Sequence, residues 1–239
     1  NTIGELKNYV VGREIYKVSS IASSFYLKSR KIGYIASSRF TSYVYDDLTN
    51  EIDNFLKKGL ECLIIDLRGN PGGFLDEVVK VTAEFLPKNS VIVYTNSKNN
   101  DFTMNFRTEK DGKYLKIPLI LLVDGQTASA AEIFAGALQD HDRAIVLGEN
   151  TFGKGTVQRL WTMRDGSGFR LTVAEYFSPI GRRIDKGILK KNMEKAELDE
   201  SLKLSIGEEA FREISKAFEE TGGATRLPTY TTKKGRTLI

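Results

Sequence analysis

Two residues of this chain, a serine and a lysine, have the types and the settings that nucleophilic chemistry requires. Ser129 follows an apolar run, Ile117 to Val123, and the turn Asp124-Gly125, at the point where a helix-like pattern begins. This order predicts a strand, a tight turn and the start of a helix. Because the first N–H groups of a helix lack partners within it, negative charge that develops beside Ser129 is stabilised there.

The lysine, Lys154, lies between two glycines, Gly153 and Gly155. Because glycines let the backbone pack closely around the amine, we expect this lysine to be stripped of water. Burial disfavours the charged form of a lysine, and a neutral lysine can act as a base. The pair therefore suggests a serine nucleophile activated by a lysine, although Ser129 also fits an ordinary N-cap serine and Lys154 an ordinary loop lysine.

The single histidine of the chain lies too far from Ser129 to be its base. His141 is twelve residues further along the same predicted helix, which corresponds to roughly 18 Å at about 1.5 Å per residue. We interpret His141 as a polar residue of the turn that ends this helix. If Ser129 is a nucleophile, a Ser-Lys arrangement is therefore the natural option left.

A cluster of Gly, Asn and Pro, Gly69 to Gly73, follows the predicted strand Cys62 to Leu67. Open α/β sheets hold their sites at the carboxyl ends of strands. Gly72 or Gly73 could supply one N–H donor of an oxyanion hole, with the backbone N–H of Ala130 as the other. The alternative is a turn that needs glycine only for its positive φ, and the cluster lacks the spacing of a dinucleotide-binding loop.

Strand-like and helix-like segments alternate from Ile32 onward, which predicts an α/β fold with a largely parallel sheet covered by helices. Residues 96–116 are polar, and we expect them to form an exposed loop or hairpin near the site. The predicted strands are 32–36, 62–67, 91–94, 117–123, 144–147, 157–161 and 169–177, and the predicted helices run from about 48 to 56, over 75–86 and from Ser129 onward.

Four stretches resemble, in this order, the C-terminal processing (tail-specific) peptidases, the peptidase family S41 of serine peptidases with a Ser-Lys dyad. The resemblance runs from about Lys31 to Arg183, and it implies a crotonase/ClpP-like core. The stretches are LIIDLRGNPGG, GQTASAAEIFAGALQD, GENTFGKGTVQ and LTVAEYFSPIGR.

The resemblance also implies a role for individual residues. The family's nucleophile matches Ser129, its lysine base matches Lys154, and the glutamine that orients the lysine matches Gln158. Thr127 matches a supporting position and not the nucleophile. Positions linked to the family's site match three further residues, which are Glu132, Asp140 and Thr151.

The resemblance divides the chain into three parts. Residues 31–183 form the peptidase core. Residues 1–30 are a lead-in segment, too short for the PDZ domain that family members usually carry there, and are either a remnant of one or a replacement for it. Residues 184–239 form a helical C-terminal extension with an amphipathic helix over 208–220, which packs on the core or contacts a second copy. The ending at Ile239 suggests a truncated extension.

Composition excludes several classes of function. The 239 residues are 41% hydrophobic, which is enough for a substantial core, and no apolar run approaches the 18 residues of a membrane span. One histidine and one cysteine give no metal site, and we expect no cofactor. The net charge is +4, and the sequence contains no stripe of basic residues, so nucleic acid is not an expected partner. No signal peptide is recognised in the chain.

These observations predict a serine endopeptidase, bacterial and extracytoplasmic by family resemblance, that acts on polypeptides through unfolded regions or C-terminal tails. A homo-oligomer and an adaptor or regulatory protein stay open as partners. The rival interpretation is a non-catalytic binding protein on the same scaffold, and the presence of Ser129, Lys154 and Gln158 together argues against it. A third interpretation is an acyl-CoA-processing enzyme of the crotonase type, in which a Ser-Lys pair would have no role.

Overall fold

The computed structural model describes residues 18–98, 100–185 and 230–238, together with Tyr9, Gly12 and Arg13. The predicted helix 208–220 and most of the 184–239 extension lie outside these residues. Within the described chain, no helix is long and apolar enough to cross a membrane.

The described residues form an α/β fold, as the alternating pattern predicts. The elements in chain order are β1 (Ile21–Leu27), β2 (Ile32–Ser37), α1 (Val44–Lys57), β3 (Cys62–Asp66), α2 (Leu75–Ala83), β4 (Val91–Asn96), β5 (Asn105–Arg107), β6 (Leu119–Val123), α3 (Ala130–Asp140), β7 (Ile145–Gly148), β8 (Thr156–Thr162), β9 (Gly168–Phe177), β10 (Tyr230–Thr231) and β11 (Thr237–Leu238).

The central sheet has five strands in the order β1-β2-β3-β6-β7. Its strands β2, β3, β6 and β7 run parallel, and β1 pairs antiparallel with β2. Parallel neighbours bring their carboxyl ends to one edge of a sheet. The turns that follow β3 and β6 therefore lie side by side, although 53 residues separate Asp66 from Leu119 in the chain.

Helical periodicity determines which faces pack on this sheet. Leu48, Ile52 and Phe55 recur on one face of α1 and are fully buried, whereas Leu56 on the other face is 40% exposed. The third helix is apolar on most sides and is buried along nearly its whole length. It therefore lies within the hydrophobic core, and Phe134 of α3 contacts Phe40 and Phe85 there.

A second sheet is entirely antiparallel and has the order β5-β4-β9-β8. The hairpin β8–β9 joins the two predicted strands 157–161 and 169–177 through a turn that includes Gly166, with φ 84°. Because β4 pairs with β9 only from Glu175 to Phe177, the outer part of β8–β9 is a two-stranded ribbon. The segment 96–116, predicted as an exposed loop or hairpin, contains β5, which pairs with β4. The expectation of exposure is wrong for Thr108 and Tyr114, which are buried.

The strand β1 is an element that sequence patterning missed. It lies in the segment that the sequence assigns to the lead-in, yet it is the edge strand of the central sheet. Most of its side chains are exposed, so its sequence does not alternate between apolar and polar residues. Phe25 stacks on Tyr34 of β2, with ring centroids 4.7 Å apart, and this contact helps to hold the strand.

The short hairpin β10–β11 lies against the end of α3. Its backbone N–H at Lys234 donates to Asp142 Oδ2 at 2.8 Å, and the Arg236 guanidinium donates to Asp142 Oδ1 at 2.5 Å. The C-terminal stretch thus contacts the same core that contains Ser129.

Candidate active site

Ser129 occupies the N-cap position at the start of α3 and has an unusual backbone conformation. Its φ is 56° and its ψ is −117°, a region that glycine favours over residues with a β-carbon. Such a conformation costs about 1 to 3 kcal/mol and persists only where neighbouring contacts impose it. Backbone strain of this kind often accompanies function, and here it falls on the one serine that the sequence singles out.

The turn before Ser129 is built by Asp124. Its carboxylate accepts hydrogen bonds from the N–H groups of Gly69, Gln126 and Thr127, all at about 3 Å. Desolvation raises the pKa of Asp124, but these hydrogen bonds outweigh that effect and lower the pKa below its ordinary value. Because Gly69 follows β3 and Asp124 follows β6, this carboxylate joins the two turns that form the site.

Thr127, the other hydroxyl in this turn, is fully buried. Its Oγ1 lies 2.9 Å from the carbonyl oxygen of Leu67 and 3.1 Å from Asp124 Oδ1, and it accepts the N–H of Asp124 at 3.0 Å. A hydroxyl held in this way is not accessible for attack on a substrate. Its surroundings agree with a supporting role for Thr127.

The glycine turn after β3 lies directly against Ser129. A β-carbon added to Gly72 would lie 2.8 Å from Ser129 Cβ and 2.8 Å from the backbone nitrogen of Ala130. A β-carbon on Gly73 would lie 2.0 Å from the carbonyl oxygen of Phe40. Both glycines also have positive φ, 97° and 157°. Close approach and backbone conformation therefore both require glycine here.

The two glycines differ in what their N–H groups can bind. The N–H of Gly72 donates to Asn70 Oδ1 at 2.9 Å, so it is already occupied. In the described chain, the N–H groups of Gly73 and Ala130 donate to no other group. Of the candidate oxyanion donors, Gly73 and Ala130 are therefore the pair that remains available.

The loop with Lys154 is held beside Ser129 by one carboxylate, that of Glu132. The N–H groups of Ser129 and Lys154 both donate to Oε2, each at 2.8 Å. The other oxygen, Oε1, accepts the N–H of Gly153 at 2.6 Å and the hydroxyl of Thr151 at 2.8 Å. Glu132 is only 5% exposed, so these hydrogen bonds form out of contact with water.

The side chain of Lys154 differs from the sequence-based expectation. Lys154 is exposed, so the prediction that it is stripped of water is wrong for the chain as described. Its flanking glycines bring backbone close but have no side chains that could cover the amine. Among the described residues, Lys154 forms no ion pair. Gln158 is also exposed, on β8, and no hydrogen bond joins it to Lys154.

Asp140 and His141 lie at the opposite end of α3 from Ser129. Asp140 is fully buried, accepts the N–H of Ile180 at 3.3 Å and forms an ion pair with Arg182. Burial lowers the pKa of His141, although a 2.7 Å contact of its Nε2 with the carbonyl oxygen of Val91 opposes the shift. Neither side chain can therefore reach a substrate at Ser129.

Sequence reasoning overlooked Asn70 and the connecting role of Glu132. The Asn70 side chain binds the carbonyl oxygen of Ser37 at 2.8 Å and the N–H of Gly72, which fixes the glycine turn. A short polar side chain within a Gly/Pro cluster is typical of such turns. The Ser-x-x-Glu spacing at 129 and 132 also matches a capping box and signals the Glu132 contact with Ser129.

Within the described residues, no cluster of His, Cys, Asp or Glu could hold a metal ion.

Comparison with known proteins identifies similar chains. The sequence model of peptidase family S41 matches residues 31–193. A carboxy-terminal-processing protease of Bartonella bacilliformis is 36% identical over 228 residues, which cover 90% of this chain and 52% of the relative. The carboxy-terminal processing protease CtpA of Bacillus subtilis is 38% identical over 194 residues, which cover 81% of this chain and 41% of the relative.

Among solved structures, the photosystem II D1 C-terminal processing protease superposes with a TM-score of 0.61. The two are 32% identical, and the match covers 65% of this chain and 40% of that one. The present chain thus spans about half the length, or less, of the relatives it matches.

Proposed function

Because this chain belongs to peptidase family S41, we propose that it is the catalytic core of a carboxyl-terminal processing protease. It hydrolyses peptide bonds through an acyl-enzyme on Ser129, with Lys154 as the base. The relatives named as processing proteases support this activity, and so does the geometry around Ser129.

The observation that supports this proposal most is the shared acceptor of Ser129 and Lys154. Residues separated by 25 positions are joined through Oε2 of Glu132, which fixes the lysine loop relative to the serine turn. A nucleophile and its base act only when they are held in a defined relative position. A binding protein would have no need to hold these two residues together.

In the proposed acylation step, the Ser129 hydroxyl attacks the carbonyl carbon of the scissile peptide bond and its proton passes to the neutral amine of Lys154. The carbonyl oxygen becomes an oxyanion, which accepts hydrogen bonds from the N–H groups of Gly73 and Ala130. When the tetrahedral intermediate collapses, the carbon–nitrogen bond breaks and Lys154 returns the proton to the leaving amine. Ser129 is then an ester of the new carboxyl end.

Deacylation uses the same groups. Lys154 removes a proton from water as the water attacks the ester, and the proton then returns to the Ser129 oxygen as the ester bond breaks. We propose that Gln158 orients the Lys154 amine in both steps. Because Gln158 supplies no proton, its removal should reduce the rate less than removal of Lys154.

The proposed substrates are the unfolded or C-terminal regions of polypeptides, outside the cytoplasm. The relatives named as processing proteases support this class of substrate. Lys154 is exposed in the free chain, so a polypeptide bound across the Ser129 turn would contact its amine directly.

A fluorophosphonate probe tests the nucleophile directly, because it forms a covalent bond only with an activated serine. We expect the wild-type chain to be labelled at Ser129, as shown by mass spectrometry, and to cleave unfolded protein. Ser129→Ala should lose both properties. Thr127→Ser, which keeps the buried hydroxyl, is the matched control and should retain labelling. A wild-type chain that is neither labelled nor able to cleave would favour a binding protein on the same scaffold.

A further inference from the structure

An arginine on the strand that contains Gln158 is fixed between two aromatic rings. The guanidinium carbon of Arg159 lies 5.6 Å from the ring centroid of Phe102 and 5.6 Å from that of Trp161. Trp161 in turn stacks on Phe169, with centroids 5.5 Å apart and ring planes 11° apart. Cation–π contacts of this kind orient a guanidinium without using its N–H donors.

The arginine lies on an exposed and largely apolar face of the β8–β9 ribbon. Arg159 is directly opposite Leu171, and Trp161 is directly opposite Phe169. Because directly opposite residues share a face, and residues two apart on one strand do too, these four side chains form one surface. Leu171 is 53% exposed and Phe169 is 43% exposed. We call this surface the Arg159 face.

The Arg159 face has a cation but no carboxylate within the described residues. Arg159 forms no ion pair there, and the two acidic residues of the hairpin are used elsewhere. Asp165 accepts hydrogen bonds from Ser167 at 2.6 and 3.0 Å, and Glu175 forms an ion pair with Arg183. Five N–H donors, held in place beside apolar side chains, are therefore open to an anion.

The chemistry of this surface matches one particular part of a polypeptide. A planar guanidinium binds a carboxylate through two parallel hydrogen bonds. The apolar neighbours suit an uncharged side chain next to that carboxylate. A polypeptide chain combines the two features at its carboxyl end, and internal acidic side chains are the other source of a carboxylate.

The surface also lies within reach of the proposed site. Arg159 is five residues beyond Lys154, and at about 3.4 Å per residue this corresponds to about 17 Å along an extended chain. Arg159 and Gln158 are successive residues of β8 and face opposite sides of the strand, so an extended tail of about five residues would reach Arg159 by passing over the free edge of β8. Because β8 is the outer strand of its sheet, nothing in the described residues pairs with its free edge.

We propose that Arg159 binds the terminal carboxylate of the polypeptide substrate, and that the last apolar side chains of this tail lie on Leu171 and Phe169. This inference rests on the proposed function, because it assigns the tail-binding part of the same site. It makes Arg159 a specificity-determining residue that takes no part in the chemical steps.

The test measures binding in a Ser129→Ala background, where no turnover occurs. The probes are three versions of one fluorescent peptide with apolar last residues: a free acid, a C-terminal amide, and an amide with an internal glutamate. We expect the free acid to bind about 10- to 100-fold more tightly than the amide, as for a hydrogen-bonded charged pair. Arg159→Gln should abolish this preference, with an unchanged circular dichroism spectrum.

Arg170→Gln is the matched control. Arg170 lies on the neighbouring strand opposite Leu160, on the other face of the ribbon, and should leave the preference intact. In the active chain, Arg159→Gln should raise KM for free-acid peptides and leave kcat nearly unchanged.

Equal binding of the free-acid peptide and its amide by the chain that keeps Arg159 would overturn the proposal. A preference for the free acid that survives Arg159→Gln, or that is lost in Arg170→Gln, would overturn it too. Tight binding of the glutamate-containing amide would identify an internal side chain as the ligand and overturn the assignment to the chain end. If the preference for the free acid depends on Arg159 but fluorophosphonate fails to label the wild-type chain, that result would support the carboxylate site and refute the proposed catalysis.

Discussion

The backbone N–H groups of Ser129 and Lys154 donate to the same atom, Oε2 of Glu132, each at 2.8 Å. One buried carboxylate thus determines how far the lysine loop lies from the serine turn. Its second oxygen holds Thr151 and Gly153, so all four hydrogen bonds serve the same geometry.

Replacing Glu132 by glutamine should uncouple the two halves of the site. The amide nitrogen of glutamine cannot accept a hydrogen bond, so at least one N–H group loses its partner. We expect the free energy of unfolding to fall by about 2 to 3 kcal/mol, and kcat to fall by about 100-fold because the reacting groups are misplaced. Thr151→Val, which removes one of the four donors, should have a smaller effect in both urea unfolding and peptide hydrolysis. Full activity in Glu132→Gln would show that the shared acceptor is unimportant.

The strained backbone of Ser129 predicts opposite effects on stability and activity. Glycine adopts a φ of 56° with a ψ of −117° more easily than residues with a β-carbon, so Ser129→Gly relieves strain. We expect Ser129→Gly to be more stable than Ser129→Ala by about 1 kcal/mol, as measured by urea unfolding. Both variants should be inactive, because neither has the hydroxyl. If Ser129→Gly were the less stable of the two, the conformation would not be strained.

The contact between Gly72 and Ser129 predicts that an alanine at position 72 disrupts the site. Its β-carbon would lie 2.6 Å from the carbonyl oxygen of Ala128, so the serine turn must move. We expect at least about a 100-fold loss of kcat/KM, as when an oxyanion donor is lost. Gly136→Ala is the matched control, since its added β-carbon would meet nothing beyond the neighbouring backbone of its own helix within 4 Å. It should keep full activity and raise stability by about 0.5 to 1 kcal/mol.

The lysine and the histidine should respond differently to substitution, because only Lys154 is proposed to exchange a proton with Ser129. Lys154→Arg should be inactive in peptide hydrolysis, since a guanidinium keeps its proton near neutral pH. His141→Gln should keep the rate of hydrolysis unchanged at pH 7.5. Loss of hydrolysis in a folded His141→Gln variant would contradict the Ser-Lys mechanism.

His141 should instead affect stability in acid. Burial lowers its pKa below 6.5, so between its folded and unfolded values the unfolded chain binds more protons than the folded chain. Stability therefore rises with pH in this window, and it falls as the pH drops below about 6.5. Unfolding experiments from pH 7.5 to pH 5 should show a smaller loss in His141→Gln than in the wild type.

The sequence by itself determined the local structure around the site. Apolar periodicity predicts the strand β6 and the helix α3, and turn-forming residues between them place Ser129 at the helix start. Helix geometry also separates His141 from Ser129, because both belong to one rigid element. These features depend on residues that are close in the chain, and such residues restrict one another's backbone conformations directly.

Only the tertiary structure decided how the distant segments meet. It assigns the N–H of Gly72 to Asn70, which leaves Gly73 and Ala130 as the available donors. It brings the loop before β8 onto Glu132, adds β1 to the central sheet, and leaves Lys154 exposed. No local pattern encodes these outcomes, because they depend on side chains that become neighbours only when parallel strands align their carboxyl ends and the helices pack on the sheet.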